Sequence, residues 1–329
     1  MASTTKIMTA LIALERGDLQ ELIPVPREAE GTEGSSMYLT AGERLSLEDL
    51  LYGLMLTSGN DAAVAIALYF GGSLEGFAAL MNDKARELGC ADTHFVTPHG
   101  LHDPEHYTTA LDLCRIARAA METEAFAKIV STQYHKTSTG SRVRTLKNKN
   151  KTLWSFEGGC GIKTGFTKKS GRCLVSAARR DGVTLVAVTL NAPDDWNDHS
   201  KMLEYGFSIV ERCKTDTDMS AVLLKIAGGE SESVPLKLSR PLQYISRKGK
   251  TVRTEQKISL KKFEYAPIKE NTVVGSVELI IDGNVVDRAE ILTAGTVRVQ
   301  NTVPKEPQKE KSRIKKFIEK IKNILRNWM

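Results

Sequence analysis

Three short motifs, far apart in the chain, constrain the fold more than anything else in it: Ser3-Thr4-Thr5-Lys6, Ser58-Gly59-Asn60 and Lys163-Thr164-Gly165. Each sits in a different kind of segment. The first opens an apolar stretch with helical spacing, the second separates two apolar runs, and the third ends a glycine-rich run. A fold that uses all three must bring a helix start, an interhelical turn and a strand to one cleft. The order carries more than any single member, because Ser259–Lys262 and Ser312–Lys315 also match S-x-x-K, whereas S-x-N and K-T-G each occur once.

A serine hydroxyl is a weak nucleophile at its free pKa and needs a base within hydrogen-bond reach. Positions three apart on a helix share a face, so a helix beginning near Ser3 projects Ser3 and Lys6 together. Ile7, Ala10, Leu11 and Leu14 recur at helical spacing, and Gly17 is a plausible stop. A helix this apolar is buried and carries Lys6 out of water. Desolvation lowers a lysine pKa and a second cation lowers it further; Lys163 is the candidate cation. A neutral Lys6 can then take the proton of Ser3 Oγ. For the segment alone, the competing reading has Ser3 capping a core helix while Lys6 snorkels.

Ser58-Gly59-Asn60 follows the apolar run 50–56 and precedes 62–70. Such a cluster is first of all a turn with an N-cap. The functional reading adds a hydroxyl that relays a proton and an amide that holds a carbonyl. The run Gly158-Gly159-Cys160-Gly161-Ile162-Lys163-Thr164-Gly165-Phe166 holds more glycine than a strand tolerates unless another backbone or a ligand approaches closely. Cys173 to Ala177 and Val183 to Leu190 read as strands joined by a hairpin at Asp181-Gly182. Lys163 thus falls on a strand beside an antiparallel pair.

With the motifs placed, the chain resembles the low-molecular-mass penicillin-binding proteins, serine-type D-alanyl-D-alanine carboxypeptidases, and most of all the vegetative and sporulation enzymes of Gram-positive bacteria. The likeness extends to Thr97-Pro98-His99-Gly100-Leu101, His106-Tyr107-Thr108-Thr109-Ala110, Lys147-Asn148-Lys149-Asn150, and Leu190-Asn191 leading to Leu203-Glu204-Tyr205-Gly206-Phe207. It implies an α+β fold: a penicillin-binding serine-transferase-like catalytic domain of antiparallel sheet and helices, then a small β domain and a C-terminal amphipathic helix. It also implies that Ser3 is acylated, Lys6 is its base and Ser58 relays protons. Asn60 would hold the substrate amide and Lys163 would set the field. Thr164 would contact the terminal carboxylate, Gly165 would share that substrate-binding strand, and the N–H groups of Ser3 and Phe166 would form the oxyanion hole.

The implied reaction removes the terminal D-alanine from a peptidoglycan stem pentapeptide through an acyl-enzyme, and β-lactams trap the same serine. No cofactor and no metal are expected. A basic residue often helps bind the substrate carboxylate in this family, and sequence does not rank Arg172, Arg179 and Arg180 for that role. The family carries a secretion signal and N-terminal strands before its nucleophile, whereas only Met1 and Ala2 precede Ser3 here. The expectation is therefore a chain without those strands, with the Val183–Leu190 region left as an uncovered edge. Two other functions stay open: a class A-like β-lactamase, which usually carries Ser-Asp-Asn and a deacylating glutamate, and a non-catalytic binder of wall peptides.

Domain boundaries follow from pattern changes. The catalytic domain is expected over 1–213 and a β-rich domain over 214–300. Strands are expected at Ala221–Ile226, Val234–Leu238, Gln256–Leu260, Val273–Ile281 and Val285–Leu292, with a hairpin at Asp282-Gly283-Asn284. Residues 301–311, with Pro304 and Pro307, read as a linker. The formal charge of +6 resides in the tail, since nine Lys/Arg and three Glu lie from residue 301 onward. Nucleic acid binding is not expected, because no basic patch with aromatics stands out in the folded domains.

In 312–329, Ile314, Phe317, Ile318, Ile321, Ile324, Leu325 and Trp328 share one helical side and charges occupy the other. Such a helix is too charged to span a bilayer and suits an anionic membrane surface, placing the protein at the extracytoplasmic face of the cell membrane. The 5 cysteines are scattered, with no C-x-x-C pair, which argues against a disulfide framework. His94, His99, His102 and His106, with Asp103 and Glu105, lack a zinc spacing.

Overall fold

Helix α1 (Lys6–Arg16) is buried for most of its length, with Ile7, Met8, Ala10, Leu11, Ile12 and Ala13 at 2% exposure or less. A single 3-10 turn, Ala2–Thr5, extends it upstream, so Ser3 lies one turn ahead of Lys6 on a continuous rod. Gly17 ends the helix for reasons of space: a Cβ there would approach Phe70 and Leu47 to 2.6 and 2.7 Å. Around α1 pack α2 (Asn60–Gly71), α3 (Leu74–Glu87), α4 (Ala110–Met121) and α5 (Glu124–Ser131). Ser73 and Thr109 cap α3 and α4 by accepting from Gly76 N–H and Asp112 N–H.

In this computed structural model, which describes residues 1–300 and 315–320, the chain forms two units. One is Met1–Arg212 with Ile245–Gly249; the other is Cys213–Tyr244 with the chain from Lys250 onward. The first unit carries the hairpin β1 (Tyr134–Lys136) and β2 (Thr145–Lys147), and the antiparallel sheet β3 (Gly159–Thr167), β4 (Gly171–Arg180), β5 (Val183–Thr189). Alternation gives the sheet two buried faces. Val175, Ala177, Val186 and Val188 meet the helical core, while Ala178, Leu185 and Ala187 meet Leu203 and Phe207 of α6 (Asp195–Ile209).

The β4–β5 turn has positive φ at both Asp181 (49°) and Gly182 (76°), as a two-residue hairpin requires. Among the described residues β5 pairs on one side only, with β4.

The second unit is a six-stranded sheet: β6 (Leu223–Ala227), β7 (Ser233–Leu238), β8 (Glu255–Leu260), β9 (Phe263–Tyr265), β10 (Val273–Ile281) and β11 (Asn284–Thr293). The order is β8-β10-β11-β7-β6-β9, antiparallel except for the β6–β9 pair. Asp282 and Gly283 make the expected turn at φ 49° and 78°. Two features differ from the sequence reading. Strand β9 is three residues long, too short to show alternation. The chain also does not stay in the second unit after residue 213: Ile245–Gly249 belongs to the first, where Lys248 N–H donates to Ile209 O at 2.8 Å.

The expected linker and most of the 312–329 helix lie outside the described residues; 315–320 is helical and exposed. No single helix among the described residues is long and apolar enough to cross a membrane.

Candidate active site

The start of α1, the turn before α2 and strand β3 meet in one cleft. Lys6 is fully buried, and its Nζ lies 3.0 Å from Ser3 Oγ, 2.6 Å from Asn60 Oδ1 and 2.8 Å from His99 O. The last two are pure acceptors. A neutral amine has two N–H bonds and one lone pair, so satisfying both acceptors leaves the lone pair facing the Ser3 hydroxyl. Burial, then the charge of Lys163, hold the Lys6 pKa well below its ordinary value, while Asp61 opposes them.

Lys163 is also buried and lies opposite Val175 in the β3–β4 register, hence on the sheet face turned to the helical core. Burial first, and then Lys149, bring its pKa down to about 7. Its Nζ donates to Thr164 O at 3.0 Å. Gly165 explains why the strand is rich in glycine: a Cβ there would stand 3.1 Å from Ser3 N and 3.2 Å from Met1 O. K-T-G and the Ala2–Thr5 turn are therefore packed backbone to backbone. Phe166 follows with an exposed ring, and Thr164 is half-buried.

Ser58 follows a π turn, Gly53–Thr57, and is held in the left-handed region at φ 66°. A serine tolerates that conformation at some cost, which is common at working sites. It is buried, and among the described residues its hydroxyl has no hydrogen-bond partner. Asn60 is fixed from behind: its N–H donates to Ser35 O at 2.7 Å and its Nδ2 to Glu33 O at 2.5 Å. Asp61 braces the same loop by accepting from Met37 N–H, Leu39 N–H and Ser36 Oγ.

The structure thus joins Ser3, Lys6 and Asn60 by hydrogen bonds, with Lys163 and Gly165 packed against them. Sequence reasoning missed three supporting groups. Lys149 adds a third positive charge to the field of Lys6 and Lys163. The turn at Pro98-His99-Gly100 supplies the carbonyl under Lys6, and Gly100, at φ 85°, lies so near that a Cβ would stand 1.9 Å from Ala2 O. Finally, Thr5 Oγ1 donates to Ala2 O at 2.8 Å and lies 2.8 Å from His106 Nε2.

His106 Nδ1 accepts from Val96 N–H at 3.0 Å, so Nε2 carries the ring proton and donates to Thr5. Burial takes the His106 pKa down to about 3 and that of His99 to about 4. Both rings are neutral packing and hydrogen-bonding groups here. The sequence marks 97–101, 106–110 and 147–150 as segments of the family likeness, but it assigns none of these groups a role.

Comparison with known proteins agrees with the geometry. Residues 1–194 match the model of the D-alanyl-D-alanine carboxypeptidases, and 215–299 match that of the penicillin-binding protein 5 C-terminal domain. The chain belongs to the D-alanyl-D-alanine carboxypeptidase family. As a member it is a low-molecular-mass penicillin-binding protein and a serine-type hydrolase. It is 31% identical over 302 residues to the carboxypeptidase DacF of Bacillus subtilis, covering 88% of this chain and 77% of that one. Among solved structures it is similar to the carboxypeptidase DacD of Francisella tularensis, with TM-score 0.62, 26% identity and 91% and 88% of the two chains covered. Penicillin-binding protein 5 of Haemophilus influenzae gives TM-score 0.61 and 28% identity, with 90% of each chain covered.

Proposed function

We propose that Ser3 is the acylated nucleophile of a carboxypeptidase acting on peptidoglycan stem pentapeptides, with Lys6 as its base. The observation that carries this reading is the lone pair of Lys6, left facing Ser3 Oγ by two fixed acceptors. Lys6 takes the hydroxyl proton as Oγ bonds to the carbonyl carbon of the penultimate D-alanine. The N–H groups of Ser3 and Phe166 receive the oxyanion. The C–N bond breaks, the leaving amine of the terminal D-alanine takes a proton through Ser58, and water then hydrolyses the ester. Asn60 holds the substrate amide, and Thr164 and protonated Lys163 meet its carboxylate.

Arg172 is the arginine nearest the motif, opposite Phe166 with its side chain 43% exposed, but it is already paired with Asp195 at 2.8 Å, so a substrate carboxylate would compete with that pair. Arg180 lies toward the far end of β4, where both of its terminal nitrogens are engaged by Glu204, and Arg179 lies opposite Thr184. A β-lactam carbonyl entering the same site acylates Ser3. The alternation of apolar and basic residues in 312–329 supports a resting place on an anionic membrane surface.

In the test, Ser3→Ala abolishes both covalent labelling by a fluorescent penicillin and D-alanine release from a pentapeptide. Labelling that survives the substitution overturns the assignment.

A further inference from the structure

A groove of about 760 Å³ opens beside the site, within the range of small-ligand clefts. It starts at Thr57, the neighbour of Ser58, and is lined by Lys147, Lys149, Lys151 and Trp154. The three lysines alternate along the chain. Among the described residues none of them makes an ion pair.

Two are held by aromatic rings instead. Lys147, opposite Tyr134 in the β1–β2 register, has its Nζ 5.7 Å from the Tyr134 ring and 5.8 Å from the Trp154 ring. Lys151 Nζ stands 5.7 Å from the Trp196 ring. A ring face fixes an ammonium without neutralising it. Surface lysines with no task usually spread apart or pair with carboxylates, because gathering like charge is unfavourable. Here three unneutralised cations gather at one concave surface, two of them fixed in place. The innermost, Lys149, is close enough to lower the pKa of both Lys6 and Lys163.

We infer that this groove is a subsite for a carboxylate-bearing stretch of the acyl-donor peptide, upstream of the terminal D-alanyl-D-alanine. The inference rests on the acyl-transfer reading of Ser3. On this reading the donor's C-terminal residue lies on β3, and its upstream residues leave along the groove past Thr57 and Lys149. A carboxylate there replaces water around Lys147 and Lys151 with charge-assisted hydrogen bonds. The apolar edge of Trp154 covers the aliphatic part of the same residue. The selectivity arises from the charge of the donor's body, not from its reacting end.

The experiment compares two donor peptides with the same D-alanyl-D-alanine terminus, one carrying a free upstream carboxylate and the other its amide. The full chain is assayed for kcat/KM of D-alanine release at low and high salt. The native protein prefers the free acid by about tenfold at low salt, and the preference shrinks as salt screens it. Lys147→Gln and Lys151→Gln each reduce the ratio, and together they bring it near one. Both side chains are exposed, so the fold tolerates the changes; Lys149 is left intact because it also acts on Lys6. Equal use of the two donors by the native protein, or a ratio that ignores both substitutions, overturns the inference. Native protein that takes no covalent penicillin overturns the acyl-transfer reading beneath it, and the inference falls with that reading.

Discussion

The two units are built from opposite kinds of interior. The core of the second is aliphatic: Leu224, Ile226, Val234, Leu236, Val277, Leu279 and Ile291 fill it, and among the described residues its buried polar side-chain groups are Thr293 and the unpartnered Oε1 of Gln243. The first buries Lys6, Lys163, Asp49, Asp61, Glu43, Arg144, His99, His106 and His199 within an otherwise apolar core. Buried charge is costly unless paired or neutralised. Some of these groups are paired, as Arg144 is by Glu43 at 2.7 Å. The two lysines of the cleft have their pKa values lowered by burial first, and then by a neighbouring cation, Lys163 for Lys6 and Lys149 for Lys163. The first unit thus gives up stability at the place where it holds its chemistry, and the second does not.

Lys163→Met sharpens that contrast with the largest effect. A folded pKa of about 7 against an ordinary 10.5 means that, between those values, the unfolded chain binds more protons. Stability therefore rises with pH across that window, and the full penalty is present below about pH 7. A methionine of similar size removes it, an upper bound of roughly 4 kcal/mol at neutral pH. The variant should melt higher at pH 7 and show a flatter stability curve from pH 7 to 10. Its D-alanine release should drop by about a hundredfold or more, since the field on the substrate carboxylate is gone. In the native protein kcat/KM should decline above about pH 7 as Lys163 loses its proton. A variant that is less stable than the native protein at pH 7 would mean that the buried ammonium carries no cost, and the contrast between the units would fail.

A smaller effect comes from Thr5. Its hydroxyl joins His106 Nε2–H to Ala2 O and so fixes the peptide that presents Ser3 N–H. Thr5→Val keeps the shape but strands a buried donor and a carbonyl, at about 1–3 kcal/mol. The acylation rate by penicillin should fall about tenfold, mainly in the chemical step. Thr5→Ser, which keeps the hydroxyl, should restore most of it. A serine variant as slow as the valine one would show that Thr5 acts through packing, with no role for the hydroxyl.

Legibility in the sequence followed the same division. The motif order, the helix from Lys6, the hairpins at Asp181-Gly182 and Asp282-Gly283 and the long strands of both units were readable, because each rests on local periodicity or turn chemistry. Of the site, the pairing of Ser3 with Lys6 was readable from helical spacing. The shell behind it was not. His99 offers a backbone carbonyl, which has no side-chain signature. Asn60 is held by carbonyls of 33 and 35, and nothing local predicts which loop lies over it. Lys147 to Asn150 was legible as part of the family likeness, but the cation cluster it forms with Lys151 was not, because that cluster needs β1 and Trp154 beside it. The return of Ile245–Gly249 to the first unit is a tertiary choice made by the pairing of strand Gln243–Arg247 with Val210–Lys214 and by the adjoining Lys248 N–H to Ile209 O bond.

The smallest effect on activity should come from the second unit. Leu279 is fully buried on β10, two residues along the same strand from Val277, and within the aliphatic cluster. Leu279→Ala leaves a cavity that the surrounding strands fill only in part, at about 2–5 kcal/mol. In a chain with two cores a single unfolding temperature is not well defined, so the loss should appear as an earlier transition for the β unit alone. Below that temperature the penicillin acylation rate should stay within about twofold of native, because every group placed around Ser3, Arg172 included, comes from the first unit. Leu11→Ala, in the core of the first unit, is the control: it should lower the other transition and the acylation rate with it. If Leu279→Ala slows acylation while both units remain folded, the β unit takes part in shaping the cleft, and the division between a strained working core and an inert one is drawn in the wrong place.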